Sequence, residues 1–254
     1  MQDAFYIAAI GLQAQQQRLT AAANNFANID TPAYKRQSVD FSAILGRASV
    51  PTGAGPVTSA EASAASVLRF DLSQGAVHGT ARPLDLAISG PGFIEVELPG
   101  DKTGYVRGGS LQINSEGGLS LPGGQPLKAD IRIPGGAVNV QILPDGSVTG
   151  ALSGETNARV LGQIELVTFV NPEALQYRGD GVFTVPEGGP EPVRVRPGEE
   201  GTQPLSPQSL EGSNVDMTSE MVSMSLIQRA YELNSHVAQI ADELMGMANN
   251  MRRD

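Results

Sequence analysis

The chain has 254 residues, 40% of them hydrophobic, and a formal net charge of −10. This length suits one or two domains with a sizeable core. The negative charge argues against nucleic acid, whose affinity depends on Lys and Arg that neutralise phosphates. The chain has no Cys, which excludes disulfides, thiolate catalysis and Cys-based metal sites. No apolar run approaches the roughly 20 residues that cross a bilayer, so membrane insertion is not expected.

Residues 1–45 are predicted to form an N-terminal helix, in which apolar positions step by three and four as in a heptad. Between Asp3 and Asp30 the only charged residue is Arg18, so the other faces lack the charge of an ordinary surface helix. The acidic start of the chain is atypical of a cleaved signal peptide. The heptad positions, which we name the N-terminal seam, are Phe5, Ala8, Leu12, Gln15, Leu19, Ala22, Phe26 and Ile29.

The middle of the chain is predicted to contain a linker and an antiparallel β domain, either a barrel or a sandwich. Residues 46–80 are expected to be extended, because 46–70 are rich in Ala, Ser, Gly and Pro. In residues 81–205, short runs of alternating apolar residues lie between turns, and 160–170 resemble a longer strand. The predicted turns are at 116–118, 122–124, 144–146 and 179–181.

Residues 206–254 are predicted to form a C-terminal helix with a bulkier apolar seam. An earlier methionine stripe has a shifted register, which predicts a stutter near residues 224–226. The two helices are expected to pair as a coiled-coil domain, although an intramolecular hairpin in a lone globule is the alternative. The uncharged outer faces of the first helix indicate that it packs against more helices than a single hairpin partner. The C-terminal seam comprises Leu226, Ala230, Leu233, Val237, Ile240, Leu244, Met247 and Met251.

The sequence contains no motif of an enzyme or a metal site, so no catalytic, cofactor or metal residues are predicted. The only histidines, His78 and His236, are far apart, whereas zinc sites group several ligands. Glu95 and Glu97 share one face of a predicted strand, and glycosidases use such carboxylate pairs. A solvent-facing strand with acidic residues is the favoured interpretation.

Three motifs resemble the bacterial flagellar rod and hook protein family. They are residues 23–36 (ANNFANIDTPAYKR), residues 82–88 (RPLDLAI) with 92–93, and residues 210–216 (LEGSNVD) with 228–234 (QRAYELN). The Asn residues suit a helix end, because Asn tolerates the left-handed conformation and its amide can satisfy free carbonyls. Pro32 prevents continuation of the helix. Ala33 stands where the family usually has Gly, so a positive φ there would be costly.

The resemblance implies a subunit that assembles helically into the axial tube of the periplasmic rod. The terminal helices would form an inner layer around an export channel, with the β domain outside. The implied partners are further copies of the chain, other rod proteins, the hook protein, the flagellar type III export apparatus and the surrounding L/P-ring. Export would need no cleaved signal.

Within the family, the single β domain favours a rod member over a hook member, which usually has an extra outer domain. Residues 228–234 and 46–70 favour the distal rod, with the proximal rod as the alternative. A secreted β-domain binding module is a third possibility, which the low aromatic content of 5% disfavours.

The predicted assembly interface combines seam positions with residues of the family motifs. It comprises Phe5, Leu12, Leu19, Asn24, Asn25, Phe26, Asn28, Thr31, Pro32, Asn214, Gln228, Arg229, Tyr231, Leu233, Val237, Ile240, Leu244 and Met247.

Overall fold

The computed structural model describes residues 2–40, 67–154, 157–199 and 202–251. These residues form two compact units. The first consists of the described parts of 1–29, 36–71 and 215–254, and the second of those in 30–35 and 72–214. The α+β class is confirmed, with two long helices and several antiparallel sheets. Most of the predicted linker lies at 41–66, outside the described residues.

The elements are numbered in chain order. The helices are α1 (Gln2–Ala27) and α2 (Met217–Met251), with a 3₁₀ turn at Pro172–Ala174. The strands are β1 (Gln37–Asp40), β2 (Val67–Phe70), β3 (Val77–Gly79), β4 (Asp85–Ile88), β5 (Ile94–Leu98), β6 (Lys102–Val106), β7 (Gly108–Ser110), β8 (Gln112–Ile113), β9 (Leu119–Ser120), β10 (Ala137–Ile142), β11 (Ser147–Leu152), β12 (Arg159–Gln163), β13 (Leu166–Thr168), β14 (Gln176–Gly179), β15 (Val182–Thr184), β16 (Val193–Val195), β17 (Leu205–Pro207) and β18 (Ser209–Glu211).

Helix α1 ends at Ala27, so the prediction of a helix as far as residue 45 is wrong. The Asn28 amide Nδ2 donates to the carbonyl of Asn24 at 2.9 Å, as expected for a side chain that satisfies a helix end. The left-handed residue of this segment is Ala33, with φ of 57°, and not one of the asparagines. From Gln37 the chain is extended, and β1 pairs antiparallel with β2.

Helix α2 begins at Met217, so the predicted helix from residue 206 is also wrong at its start. Residues 205–211 instead form β17 and β18, which pair with β4 and β3. Asp216 caps α2, because its Oδ2 accepts a hydrogen bond from the Ser219 amide at 2.8 Å. Hydrogen bonds from Ser219 lower the pKa of Asp216. From there α2 continues without a break through residues 224–226.

The sheets are small, and those of the second unit surround one core. The described strands form seven antiparallel sheets, of which only β1–β2 belongs to the first unit. The largest has the order β14-β15-β6-β5. The core includes Leu86, Ile88, Val96, Val148 and Ile164. The four predicted turns are confirmed, and the predicted strand at 160–170 is divided into β12 and β13.

A closed barrel was one of the two forms predicted for the β domain, and that form is wrong for the described residues. Each strand of the second unit has only two to six residues, and frequent turns interrupt the pairing. Strands this short cannot maintain a continuous ladder of hydrogen bonds around a barrel, which needs every edge to be paired.

Candidate assembly interface

Within the chain, α1 and α2 meet through a face of small residues. Ala14, Ala21 and Ala22 of α1 are buried, and the two helices contact each other. A Cβ placed on Gly11 would lie 3.3 Å from Nδ2 of Asn234. Further along α1, Asn25 contacts Glu220, so the helices run antiparallel. Small side chains allow two helices to approach closely, which explains why this face is used inside the chain.

Most of the C-terminal seam is exposed on α2, although Leu226 and Ala230 also line a cleft that α1 residues border. The exposed members of the seam include Leu226 at 60% of full exposure, Leu233 at 68% and Val237 at 53%. Ile240 and Met247 are also exposed, whereas Ala230 is half-buried. Contiguous exposed apolar surface on a soluble chain marks an interaction site. The bulky seam is therefore uncovered, while the small-residue face is already paired.

The other predicted interface residues have mixed positions. In the N-terminal seam, Leu12 and Leu19 are half-buried and Phe26 is exposed. The side chains of Phe5 and Leu244 lie outside the described part of the structure. The remaining predicted interface residues are the motif residues, including Tyr231. Asn24, Thr31, Pro32, Gln228, Arg229 and Tyr231 are exposed, and Asn28 and Asn214 are half-buried.

Asn25 differs from the other motif asparagines because it is buried, with 1% of its surface exposed. Its Oδ1 accepts from the Gln37 amide at 2.7 Å, and its Nδ2 donates to the Gln37 carbonyl at 2.9 Å. The side chain thereby pairs with both backbone groups of Gln37, as a neighbouring strand would. Nδ2 also lies 3.3 Å from Oε1 of buried Glu220, which accepts a hydrogen bond from Nε of Arg36. Asn25 connects α1, β1 and α2 inside the first unit.

A second buried polar group lies inside the second unit, around Glu211. Its Oε1 accepts from Nζ of Lys35 at 2.6 Å and from the Gly75 amide at 2.8 Å. The Lys35 Nζ also donates to the Ser73 carbonyl at 2.6 Å. Arg107 Nη2 lies 3.6 Å from the other Glu211 oxygen. Burial lowers the pKa of Arg107, and the charge of Glu211 opposes this shift. Arg107 lies outside the family motifs, so no pattern in the sequence marks it.

The two carboxylates considered for hydrolysis have different surroundings. Glu95 is buried, and its Oε2 accepts a hydrogen bond from Nη2 of Arg194 at 2.9 Å. Glu97 is exposed. The expectation that both face solvent is therefore wrong for Glu95, which pairs with the Arg194 guanidinium in a cleft of the second unit. Burial raises the pKa of Tyr105 nearby, and the charge of Glu95 adds to this shift.

Among the described residues, no group of three or more His, Cys, Asp or Glu is arranged to hold a metal ion. No described helix has the length and hydropathy that a membrane span requires.

Comparison with known proteins gives three family matches in chain order. Residues 5–35 match "Flagella basal body rod protein", residues 87–150 match "Flagellar hook protein FlgE/F/G D1 domain", and residues 206–251 match "Flagellar basal body rod FlgEFG protein C-terminal". The chain is also 34% identical to the flagellar basal-body rod protein FlgG of Caulobacter vibrioides, covering 98% of this chain and 99% of that protein.

The chain belongs to the flagellar basal-body rod protein family. It is also 32% identical to FlgG of Borreliella burgdorferi over the whole of both chains. The flagellar basal-body rod protein FlgF of Escherichia coli is 30% identical over 93% of this chain and 92% of that protein. The resemblance inferred from the motifs is thereby confirmed, and the protein is located in the flagellar basal body.

The family matches coincide with the structural features of this rod protein. The first covers α1 and the chain as far as Lys35, and the last covers β17, β18 and α2. Each matched terminal region thus contributes one helix to the first unit. Each also contributes one residue of the Lys35–Glu211 ion pair to the second unit.

Proposed function

We propose that this rod protein is a structural subunit, and not an enzyme, that assembles helically into the drive shaft of the basal body around the export channel. The observation that carries the proposal is the exposed C-terminal seam, a bulky apolar face that the chain itself leaves uncovered. Burying such side chains between subunits is favourable by about 25 cal/mol per Å² of apolar surface. A polymer gives every copy of α2 the partner that the single chain lacks.

The terminal helices are proposed to form the inner layer of this polymer as a coiled-coil domain. Within one chain, the small-residue face already holds α1 against α2. The C-terminal seam would then pack between subunits, against the exposed and half-buried side of α1 that includes Leu12, Leu19 and Phe26. A knobs-into-holes seam of this kind needs a partner helix with complementary side chains.

The exposed motif residues are proposed to extend this interface at the end of α1 and along α2. Asn24, Thr31 and Pro32 lie at or after the end of α1, where a neighbouring subunit could contact them. Gln228 and Arg229 lie on α2 beside the seam. The half-buried Asn28 and Asn214 are assigned supporting contacts within the chain, because both already make hydrogen bonds there.

The distal rod is the proposed position, because relatives named FlgG match across essentially their full length. The proximal rod remains the second candidate. The proposed partners are other rod proteins and the hook protein, with the L/P-ring around the rod. The type III export apparatus would deliver the subunit.

Electron microscopy of purified basal bodies tests the position. Cells that lack this protein should build basal bodies with a short proximal rod and no hook, and re-expression should restore the full rod. Loss of the entire rod in the deletion strain would instead support the proximal position. A complete rod and hook in that strain would contradict both.

A further inference from the structure

Three short segments of the second unit are joined around Glu211. We name residues 33–35, 73–75 and 211–214 together the clasp. The Ala33 amide donates to the Glu211 carbonyl at 2.7 Å, and the Asn214 amide donates to the Tyr34 carbonyl at 3.4 Å. The second unit consists of residues 30–35 and 72–214. The clasp therefore ties together ends of both pieces of this unit.

The buried ion pair between Lys35 and Glu211 makes the closed positions of the clasp segments depend on one another. The side chains of Lys35 and Glu211 are each only 1% exposed, and their charged atoms are 2.6 Å apart. Removing one partner of a buried ion pair leaves an uncompensated charge, which is strongly unfavourable. If residues 33–35 left, Glu211 would keep the Gly75 amide and the more distant Arg107 but lose its closest cation. The closed arrangement therefore favours all three segments in place together.

The clasp lies outside the main apolar cluster of the second unit. That cluster consists of residues such as Leu86, Val96 and Val148, and no clasp residue belongs to it. The clasp is held mainly by hydrogen bonds and the ion pair, although the Tyr34 ring is buried and Gln74 Nε2 donates to the Ile88 carbonyl at 3.3 Å. A group of polar contacts that shares no core side chain can open without unfolding the core, as local unfolding units do.

We propose that the clasp opens and closes as one cooperative unit, independently of the β core. In the closed state the Lys35–Glu211 pair holds the ends of both pieces of the second unit together. In the open state residues 30–35 are released while the core sheets remain folded. This device requires no polymer, so its test is independent of the proposed function.

Hydrogen exchange of the full-length chain at low urea concentrations tests the proposal directly. The amides of Ala33, Gly75 and Asn214 should exchange with one common opening free energy and one common urea dependence. Both values should be smaller than those of the core amides of Phe93 and Val167, which bond to each other across the bridge between them. Exchange of the clasp amides only through global unfolding, or through three unrelated openings, would overturn the proposal.

A substitution gives a second test. Lys35→Met should accelerate exchange of the three clasp amides together by about 100-fold, because Glu211 would remain buried without its closest cation. The amides of Phe93 and Val167 should stay within about twofold of their original rates. Lys128→Met, at an exposed lysine, is the matched control and should change none of them. Equal acceleration of clasp and core amides in Lys35→Met would contradict the proposal. If this variant does not fold, the exchange of the unmodified chain still decides.

Discussion

The Nζ atom of Lys35 lies 2.6 Å from Oε1 of Glu211, and the two residues are separated by 176 positions in the sequence. Lys35 belongs to the motif that spans the end of α1, and Glu211 belongs to the motif segment 210–216 that precedes α2. The two terminal motifs therefore meet as a buried ion pair in the second unit. This contact gives a structural reason for charged residues inside both motifs, apart from any role in assembly.

Ala33→Gly should stabilise the protein by about 0.5–1 kcal/mol. A left-handed conformation is unfavourable by about 1–2 kcal/mol for a residue with a Cβ, and the greater flexibility of Gly in the unfolded chain offsets part of the gain. Ala33 has φ of 57° and retains its amide hydrogen bond to Glu211. Urea denaturation of the full-length chain measures the change.

The matched control for this prediction is Ala23→Gly, at an exposed position inside α1. That change should destabilise by about 1 kcal/mol, because glycine is a poor helix former. A decrease in stability for Ala33→Gly of similar size would show that the left-handed position imposes no strain.

Asn25→Ala should destabilise the first unit by about 2–3 kcal/mol, because it leaves the backbone groups of Gln37 and part of Glu220 without partners. The two hydrogen bonds to Gln37 are 2.7 and 2.9 Å long. Asn24→Ala, at the exposed neighbouring position, should stay within about 0.5 kcal/mol. Chemical denaturation followed by helical circular dichroism distinguishes them. Equal effects of the two substitutions would refute the structural role of Asn25.

The start of α2 should depend on pH through Asp216. Hydrogen bonds from the Ser219 hydroxyl and amide lower the pKa of this carboxyl. A lowered folded pKa means that the ionised carboxylate stabilises fully above its unfolded pKa of about 3.9. This stabilisation is lost as the pH falls through the lower folded pKa.

The difference in melting temperature between the unmodified chain and Asp216→Ala measures this effect. The difference should be present at pH 7 and should shrink as the pH falls through the lowered folded pKa. Asp242→Ala, at an exposed carboxylate inside α2, is the control and should not reproduce the pattern. A difference that does not change over this pH range would contradict the capping role.

Local sequence patterns predicted the local features of this fold. The two long helices, the strand Ile94–Leu98 and the four turns follow from heptad stepping, alternation and Gly or Pro placement. The strands at 205–211 were missed because their partners, β4 and β3, lie more than 100 residues earlier in the chain. Register with a distant strand leaves little trace in a local pattern.

The packing face of α1 was only partly predictable for a related reason. The heptad pattern marks bulky positions such as Leu12 and Leu19, whereas Ala14 and Ala21 are the residues that the chain buries. Alanine has no strong apolar signature, but its small size permits close contact between helices. The sequence thus indicated that more than one face of α1 needs a neighbour, but the heptad pattern did not mark Ala14 and Ala21. For the same reason, the sequence does not show that Asn25 is buried whereas the neighbouring Asn24 is exposed.

The most direct test of the central claim is Leu233→Asp in the C-terminal seam. Leu233 is 68% exposed in the single chain, so the substitution should leave the stability of the purified monomer within about 0.5 kcal/mol. In the assembled rod the same position would be covered, and an unpaired buried charge there is strongly unfavourable. Gln239→Asp, at an exposed position of α2 outside the seam, is the matched control.

The measurement is the amount of each variant in basal bodies purified from cells in which it is the only copy. We expect Leu233→Asp to be absent from these basal bodies although its monomer folds normally, and Gln239→Asp to be incorporated as the unmodified protein is. Normal incorporation of Leu233→Asp, with a complete rod, would contradict assembly through this seam.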